Sequence, residues 1–351
     1  MKNQQLTFAR EYRGLTQTAL AAKVPGLSQS NLSKFEKGLE TLSEELINKI
    51  MNTLDFPVSF LDISIHPSSY SRHYRKKASI KVSDKNKIDI FVSFIAHCID
   101  WMFESLDIPE FKFQCIDVES GVTPEEIARH VRRRFGLGNL PIDKICNLLE
   151  ANGISIYFWD CKFNDFDGVS FITDAGNNII VVNSTMSNDR IRFSLAHELG
   201  HVIMHNNPEF VVIESRNIED EANRFASELL MPSAGIKNSL LNLKFSQLPI
   251  LKSTWKTSMA SIIRRAKTLN GIDDTKYTTL MTELSRRGWR LKEPYGVYID
   301  MPTIIEQAYN VTKNDLNYTI GEIAKCNKLP IDIIKDIFEP SNNVIKIYPI
   351  R

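Results

Sequence analysis

The segment SLAHELGHVIMH constrains this chain more than any other, because it sets His197 and His201 four residues apart. Four residues on an α-helix return a side chain to the same face, so a helix here aims both imidazoles in one direction. Two neutral imidazoles on a rigid helix can grip a single Zn²⁺. Glu198 stands next to His197, offset by about 100° around the helix. From there it can take a proton from water and hand it to a leaving amine without being a ligand itself. Seven histidines occur in 351 residues. A chance His-Glu-x-x-His is then expected on the order of once per hundred such chains, so the motif is a hypothesis that its surroundings must support.

Those surroundings agree with it. ISIYFWD, GVSFIT and NIIVVN precede the motif and are rich in β-branched and aromatic residues, as short strands are. The sequence predicts a helix over 189–205 and a second over 218–230, stopped by Pro232. A catalytic zinc needs a third protein ligand and one open position. The second helix, NIEDEANRFASELLMP, offers Glu219, Asp220 and Glu221 ahead of an apolar stripe of Ala222, Phe225, Ala226 and Leu229. That stripe is expected to pack on the histidine helix and turn a flanking acid to the metal. Glu219 and Asn223 share a face, yet spacing alone does not choose between Glu219 and Glu221. His205 continues the four-residue series and is read as a helix-end residue favoured by the dipole, with a ligand or supporting role as the alternative.

Further upstream, Thr123-Pro124-Glu125-Glu126 is a capping box with proline at the first helical position. PIDKICNLLEAN predicts another helix closed by Gly153. From about Val118 to Pro232 the chain resembles the ImmA/IrrE family of metallopeptidases. The resemblance rests on PIDKICNLLEANGISIYF, DGVSF, IIVVN, RIRFSLAHELGHVIMH and EDEANRFASELLMP, about a third of the chain. It implies a gluzincin-like α+β domain with His197 and His201 as ligands, Glu198 as general base and Glu219 as the third ligand. It also implies action on a regulatory protein, typically a repressor of the helix-turn-helix type. SQLPILKSTWKTSMASIIRRAKTLNGI looks like the extension that follows the peptidase core in such proteins.

The first 62 residues read as short helices separated by polar turns. Thr16, Ser28 and Ser43 are placed to cap them, and Gly38 to end one. LTQTALAAKVPGLSQSNLSKFEKGLETLS resembles the XRE/Cro-type helix-turn-helix, and the resemblance spans residues 6–61. It departs from the pattern in a longer turn, VPGLS. Such a unit lays its second helix in the major groove of double-stranded DNA. Gln29, Ser30, Asn31, Ser33 and Lys34 are then candidates for base edges and phosphates, and Gln17 and Lys37 for phosphates, while Leu32 and Phe35 face the core. One such unit reads a short site, so a homodimer on an operator is expected.

The expected fold is multidomain and mainly α with a small β-sheet. An all-α helix-turn-helix covers 1–62, and a basic linker with a connecting or dimerising helix covers 63–117. A zincin-like α+β domain covers 118–235, and a mostly helical extension covers 236–351. Net charge is +1, so DNA binding must be a local patch and not a global field. The basic run Arg72, Arg75, Lys76, Lys77 and Lys81 and the run Arg129, Arg132, Arg133 and Arg134 read as solvated faces. Cys98, Cys115, Cys146, Cys161 and Cys326 form no Cys-x-x-Cys pair and read as small buried apolar residues of a cytoplasmic protein. No apolar run approaches a membrane span. Two functions compete: a zinc endopeptidase that cleaves a regulator, and a non-proteolytic regulator or antitoxin that uses the same fold to sense a ligand or hold a toxin or repressor.

Overall fold

The computed structural model describes residues 2–65, 82–163, 165–207, 209–210 and 216–340. The basic run at 72–81 lies outside the described residues. The chain divides into two compact units. One combines residues 2–65 and 82–107 with residues 305–340, and the other holds the described residues between Ile108 and Ile304.

The first unit begins with four helices: α1 (Lys2–Tyr12), α2 (Gln17–Lys23), α3 (Gln29–Glu36) and α4 (Glu44–Leu54). A 3₁₀ turn, Val58–Asp62, completes the five-element bundle. The side chains of Thr16, Ser28 and Ser43 accept hydrogen bonds from the N–H groups of Ala19, Asn31 and Leu46. Each cap satisfies a donor that the helix start would otherwise leave unpaired. Gly38 has φ +73°, a conformation that glycine adopts without strain.

Helix α5 (Val82–Phe103) packs on α1. Its Phe94 is fully buried and meets the rings of Tyr12, Phe56 and Phe60. Phe94, Ile95, Cys98 and Ile99 are all at 0% exposure, so these residues serve the core and present no free apolar stripe to a second copy. Further along the chain come α14 (Ile304–Asn310), α15 (Ile320–Asn327) and α16 (Ile331–Phe338). The Arg13 guanidinium on the N-terminal bundle donates to Asp332 of α16 at 2.6 Å. The region expected as one extension over 236–351 is therefore divided at residue 304, its last part belonging with the N-terminal bundle.

The second unit starts with α6 (Pro124–Arg134), opened by the Thr123–Glu126 capping box, and α7 (Ile145–Glu150). Helix α7 starts later than its sequence suggests. Its first free N–H groups, on Cys146 and Asn147, are taken by the carboxylate of Asp300, about 150 residues downstream. Three strands follow: β1 (Ile154–Trp159), β2 (Gly168–Ile172) and β3 (Asn178–Asn183). They form one sheet in the order β1-β3-β2, with β1 parallel and β2 antiparallel to β3. Every residue of the central β3 is buried.

Helix α8 (Asn188–Met204) lies on this sheet, and α9 (Ile218–Leu230) packs across α8. Ile180 and Val182 of β3 share one core with Ile191, Leu195 and Leu199 of α8 and Phe225 and Leu229 of α9. Arg192 of α8 is fully buried and donates to the backbone carbonyls of Ile142 and Asp143, anchoring the segment before α7. Helices α10 (Ser233–Leu240), α11 (Leu248–Trp255), α12 (Met259–Thr268) and α13 (Asp274–Arg286) close the unit.

Cys98, Cys146 and Cys161 are buried and Cys115 is half-buried, but Cys326 is exposed, contrary to the reading of all five as buried residues. It sits on the outer face of α15, where its neighbour Lys325 is exposed too. No helix among the described residues is long and apolar enough to cross a membrane.

Candidate metal centre and DNA-binding surface

Burial runs almost all round α8, as expected of a helix held between a sheet and a second helix. Gly200 allows the close packing. A Cβ built there would stand 3.1 Å from the Phe225 ring and 3.3 Å from the Ala222 Cα of α9. The stripe Ala222, Phe225, Ala226 and Leu229 is fully buried. Glu219, one turn before Ala222, thereby faces the histidines.

Three donors converge. His197 Nε2 and His201 Nε2 are 3.0 Å apart, and each lies 3.5 Å from a carboxylate oxygen of Glu219. Tetrahedral zinc with bonds of about 2.0–2.1 Å places its ligand atoms about 3.3 Å apart. The separations here straddle that value, and two imidazoles with one carboxylate are a zinc-type donor set, so the residues present fit the ion. Among the described residues this is the one cluster of such groups close enough to share an ion. Burial by itself would raise the Glu219 carboxyl, but His197 and His201, when they carry protons on Nε2, outweigh it through hydrogen bonding and charge and hold the group well below the usual range.

Other side chains orient the donors. Asn223, one turn after Glu219, places Oδ1 3.1 Å from His197 Nδ1. An acceptor there requires Nδ1–H and leaves Nε2 as a lone pair. Glu221 points away from the cluster: it lies 2.9 Å from His205 Nε2 and accepts from Arg216. Glu198 is buried at 7% exposure, and its Oε2 accepts a hydrogen bond from the Ser170 hydroxyl of β2 at 2.8 Å. Asn206 in turn donates to the Ser170 carbonyl and hydroxyl oxygens, both at 3.3 Å.

Sequence reasoning passed over Ser170, Asn206 and Arg216, and it did not assign Asn223 a role. Asn223 carried a signal, the four-residue spacing from Glu219. Ser170 carried a weaker one, a polar residue between Val169 and Phe171 that turns out to be buried. His205 is 4% exposed, and its Nδ1 lies 2.9 Å from His201 Nδ1, on the far side of that ring from the donor cluster. It is therefore neither a ligand in this geometry nor merely a helix-end residue.

The candidate DNA contacts lie in the first unit. Gln29, Ser30, Asn31, Lys34 and Lys37 are exposed, Ser33 and Gln17 are half-buried, and Leu32 and Phe35 are buried. A chain of hydrogen bonds links the two glutamines: Gln29 donates to Gln17 Oε1 at 2.9 Å, and Gln17 donates to Glu36 at 2.7 Å. Glu36 is held by a bidentate bond from Arg10 at 2.6 and 2.8 Å. Lys34 reaches Glu40 at 2.6 Å across the surface. The long turn keeps Val24 and Leu27 buried and relies on Gly26 at φ +87°.

A histidine pair on one helix and an acid from the next, backed by a small sheet, define a metallopeptidase-like domain, and the chain carries it together with a DNA-binding helix-turn-helix. Residues 150–267 match the family described as the IrrE N-terminal-like domain, the ImmA/IrrE type, and residues 8–61 match the family described as Helix-turn-helix, in that order along the chain. The first match runs past Pro232 through α10 and α11 and almost to the end of α12. No curated protein and no solved structure matches the chain.

Proposed function

We propose that this chain is a DNA-binding regulator whose second unit is a zinc endopeptidase acting on another regulatory protein. The observation that carries the reading is the donor triangle of His197, His201 and Glu219, with the Glu198 carboxylate on the same helix turn and outside it. His197, His201 and Glu219 would hold the zinc, which when bound would supply a Lewis acid able to polarise a carbonyl and activate water at neutral pH. Glu198 takes the proton from the attacking water and returns it to the departing amine nitrogen. Ser170 holds the Glu198 carboxylate in place through Oε2. Glu219, His197 and His201 are kept in register by the close α8–α9 packing at Gly200.

The helix-turn-helix gives this activity an address. Gln29, Ser30, Asn31, Ser33 and Lys34 read base edges and phosphates of an operator in double-stranded DNA, and Gln17 and Lys37 fix the helix on the backbone. The chain works as a homodimer on paired half-sites. Its substrate is a repressor-type protein acting at the same promoter.

The test uses the full chain, loaded with zinc and mixed with repressors encoded by neighbouring genes. The wild type cleaves one of them, and Glu198→Gln retains zinc and leaves it intact. Cleavage at an undiminished rate by Glu198→Gln overturns the mechanism. Wild-type protein that holds zinc and binds an operator, yet cleaves none of these repressors, favours the non-proteolytic regulator.

A further inference from the structure

We infer that His205 is a positioning residue, which together with the Arg216-clamped Glu221 locks His201 in the tautomer that offers Nε2 to the metal. The inference rests on the zinc reading of the site. The chain of contacts behind His201 begins at Arg216. Its guanidinium donates to both oxygens of Glu221, from Nε at 3.1 Å and from Nη2 at 2.6 Å. Its Nη1 lies 3.2 Å from Glu119, so the arginine is itself gripped from the other side. Glu221 so clamped is an ionised carboxylate, which can only accept.

His205 Nε2 lies 2.9 Å from Glu221 Oε2 and so must carry the hydrogen. A neutral imidazole with Nε2–H presents Nδ1 as a lone pair. That lone pair faces His201 Nδ1 at 2.9 Å, in surroundings where the two side chains are 0% and 2% exposed. Two bare lone pairs at that distance would repel, so His201 Nδ1 must carry the hydrogen. The lone pair of His201 then falls on Nε2, the atom 3.0 Å from His197 Nε2 and 3.5 Å from Glu219.

Metal-bound histidines usually donate their second N–H directly to a carboxylate or a carbonyl. Here an imidazole is interposed, and the orientation of His201 depends on a chain ending at Arg216 and Glu119. His197 is served separately by Asn223. The two ligands therefore have different neighbours at Nδ1, Asn223 for His197 and His205 for His201.

The test measures zinc affinity of the full chain by competition with a chromophoric chelator, beside thermal unfolding of the metal-free protein. His205→Leu keeps bulk and removes the acceptor. It is expected to weaken zinc binding roughly 10–100-fold, the range typical for lost outer partners of a ligand. His205→Asn restores an acceptor near the Nδ1 position and is expected to recover most of the affinity, whatever either change does to folding. A purely structural role would move unfolding in both variants and affinity in neither. Zinc affinity of folded His205→Leu within threefold of wild type overturns the inference. A readout that needs no variant is the ¹⁵N spectrum of the wild-type histidine rings without metal. It is expected to show His201 as the Nδ1–H tautomer, and an Nε2–H tautomer overturns the inference. A wild-type chain that binds zinc no better than His201→Ala refutes instead the zinc reading on which it rests.

Discussion

Gly200 of α8 lies so close to Phe225 of α9 that a Cβ at position 200 would stand 3.1 Å from the ring. Phe225 is fully buried, and the Ala222 backbone is nearly as close, so neither neighbour can move freely. This contact sets how near α9 comes to the histidines, and hence whether Glu219 reaches them. Gly200→Val adds three carbons where none fit. Overpacking of this kind costs about 1–3 kcal/mol. The variant is expected at the upper end of that range, with zinc binding at least tenfold weaker, by thermal unfolding and chelator competition. Unchanged zinc affinity would show that the α8–α9 spacing does not control the site.

Ser170 offers a separable test of the Glu198 assignment. Its hydroxyl donates to Glu198 Oε2 and touches none of the three donors in the hydrogen bonds described. A hydrogen bond to a charged group contributes about 1.5–3 kcal/mol. Ser170→Ala is therefore expected to lower the cleavage rate by about tenfold or more and leave zinc affinity unchanged. Equal cleavage rates for the variant and the wild type would exclude Ser170 as the group that holds Glu198.

Glu125 and Arg224 join α6 to α9 through paired bonds of 2.8 and 2.7 Å. Burial pushes the Glu125 carboxyl up, but hydrogen bonding and the positive charge of Arg224 outweigh it, so the group titrates below its ordinary value. A carboxylate depressed in the folded state adds stability above its unfolded value of about 4.3, and that stability is lost as pH falls through the lower folded value. The Arg224 side chain is 42% exposed, so solvent screens the pair and its contribution is about 0.5–1 kcal/mol. Glu125→Gln is expected to unfold earlier than wild type at pH 6, with the gap narrowing in strong acid and in high salt. A gap that persists unchanged at pH 2 would assign the effect to packing and not to charge.

What the sequence revealed was local. Thr16, Ser28, Ser43 and Thr123 cap helices through bonds spanning three residues, and the residue types name those caps directly. The histidine spacing placed α8, and the apolar stripe placed α9 against it. What escaped is set by residues far apart in sequence. The four-residue rule did not say which of Glu219 and Glu221 meets the histidine pair, and the structure turns Glu219 to it while Glu221 meets Arg216 and His205. The start of α7 is fixed by Asp300, and no local signal marks it. The division of 236–351 at residue 304 depends on contacts such as Arg13 with Asp332, 319 positions apart. His205 read as a helix end because its partner Nδ1 belongs to a residue one turn back, a relation that spacing suggests but side-chain rotation decides.

The central claim is that His197, His201 and Glu219 hold one zinc ion. Zinc-edge X-ray absorption on the full chain, with metal content counted per chain, addresses it most directly. The account predicts one zinc with two imidazole nitrogens and oxygen in its first shell. It also predicts that Glu219→Ala loses most of the metal while Glu221→Ala retains it at reduced affinity. A chain without stoichiometric zinc, or a shell that is the same in Glu219→Ala as in wild type, would contradict it.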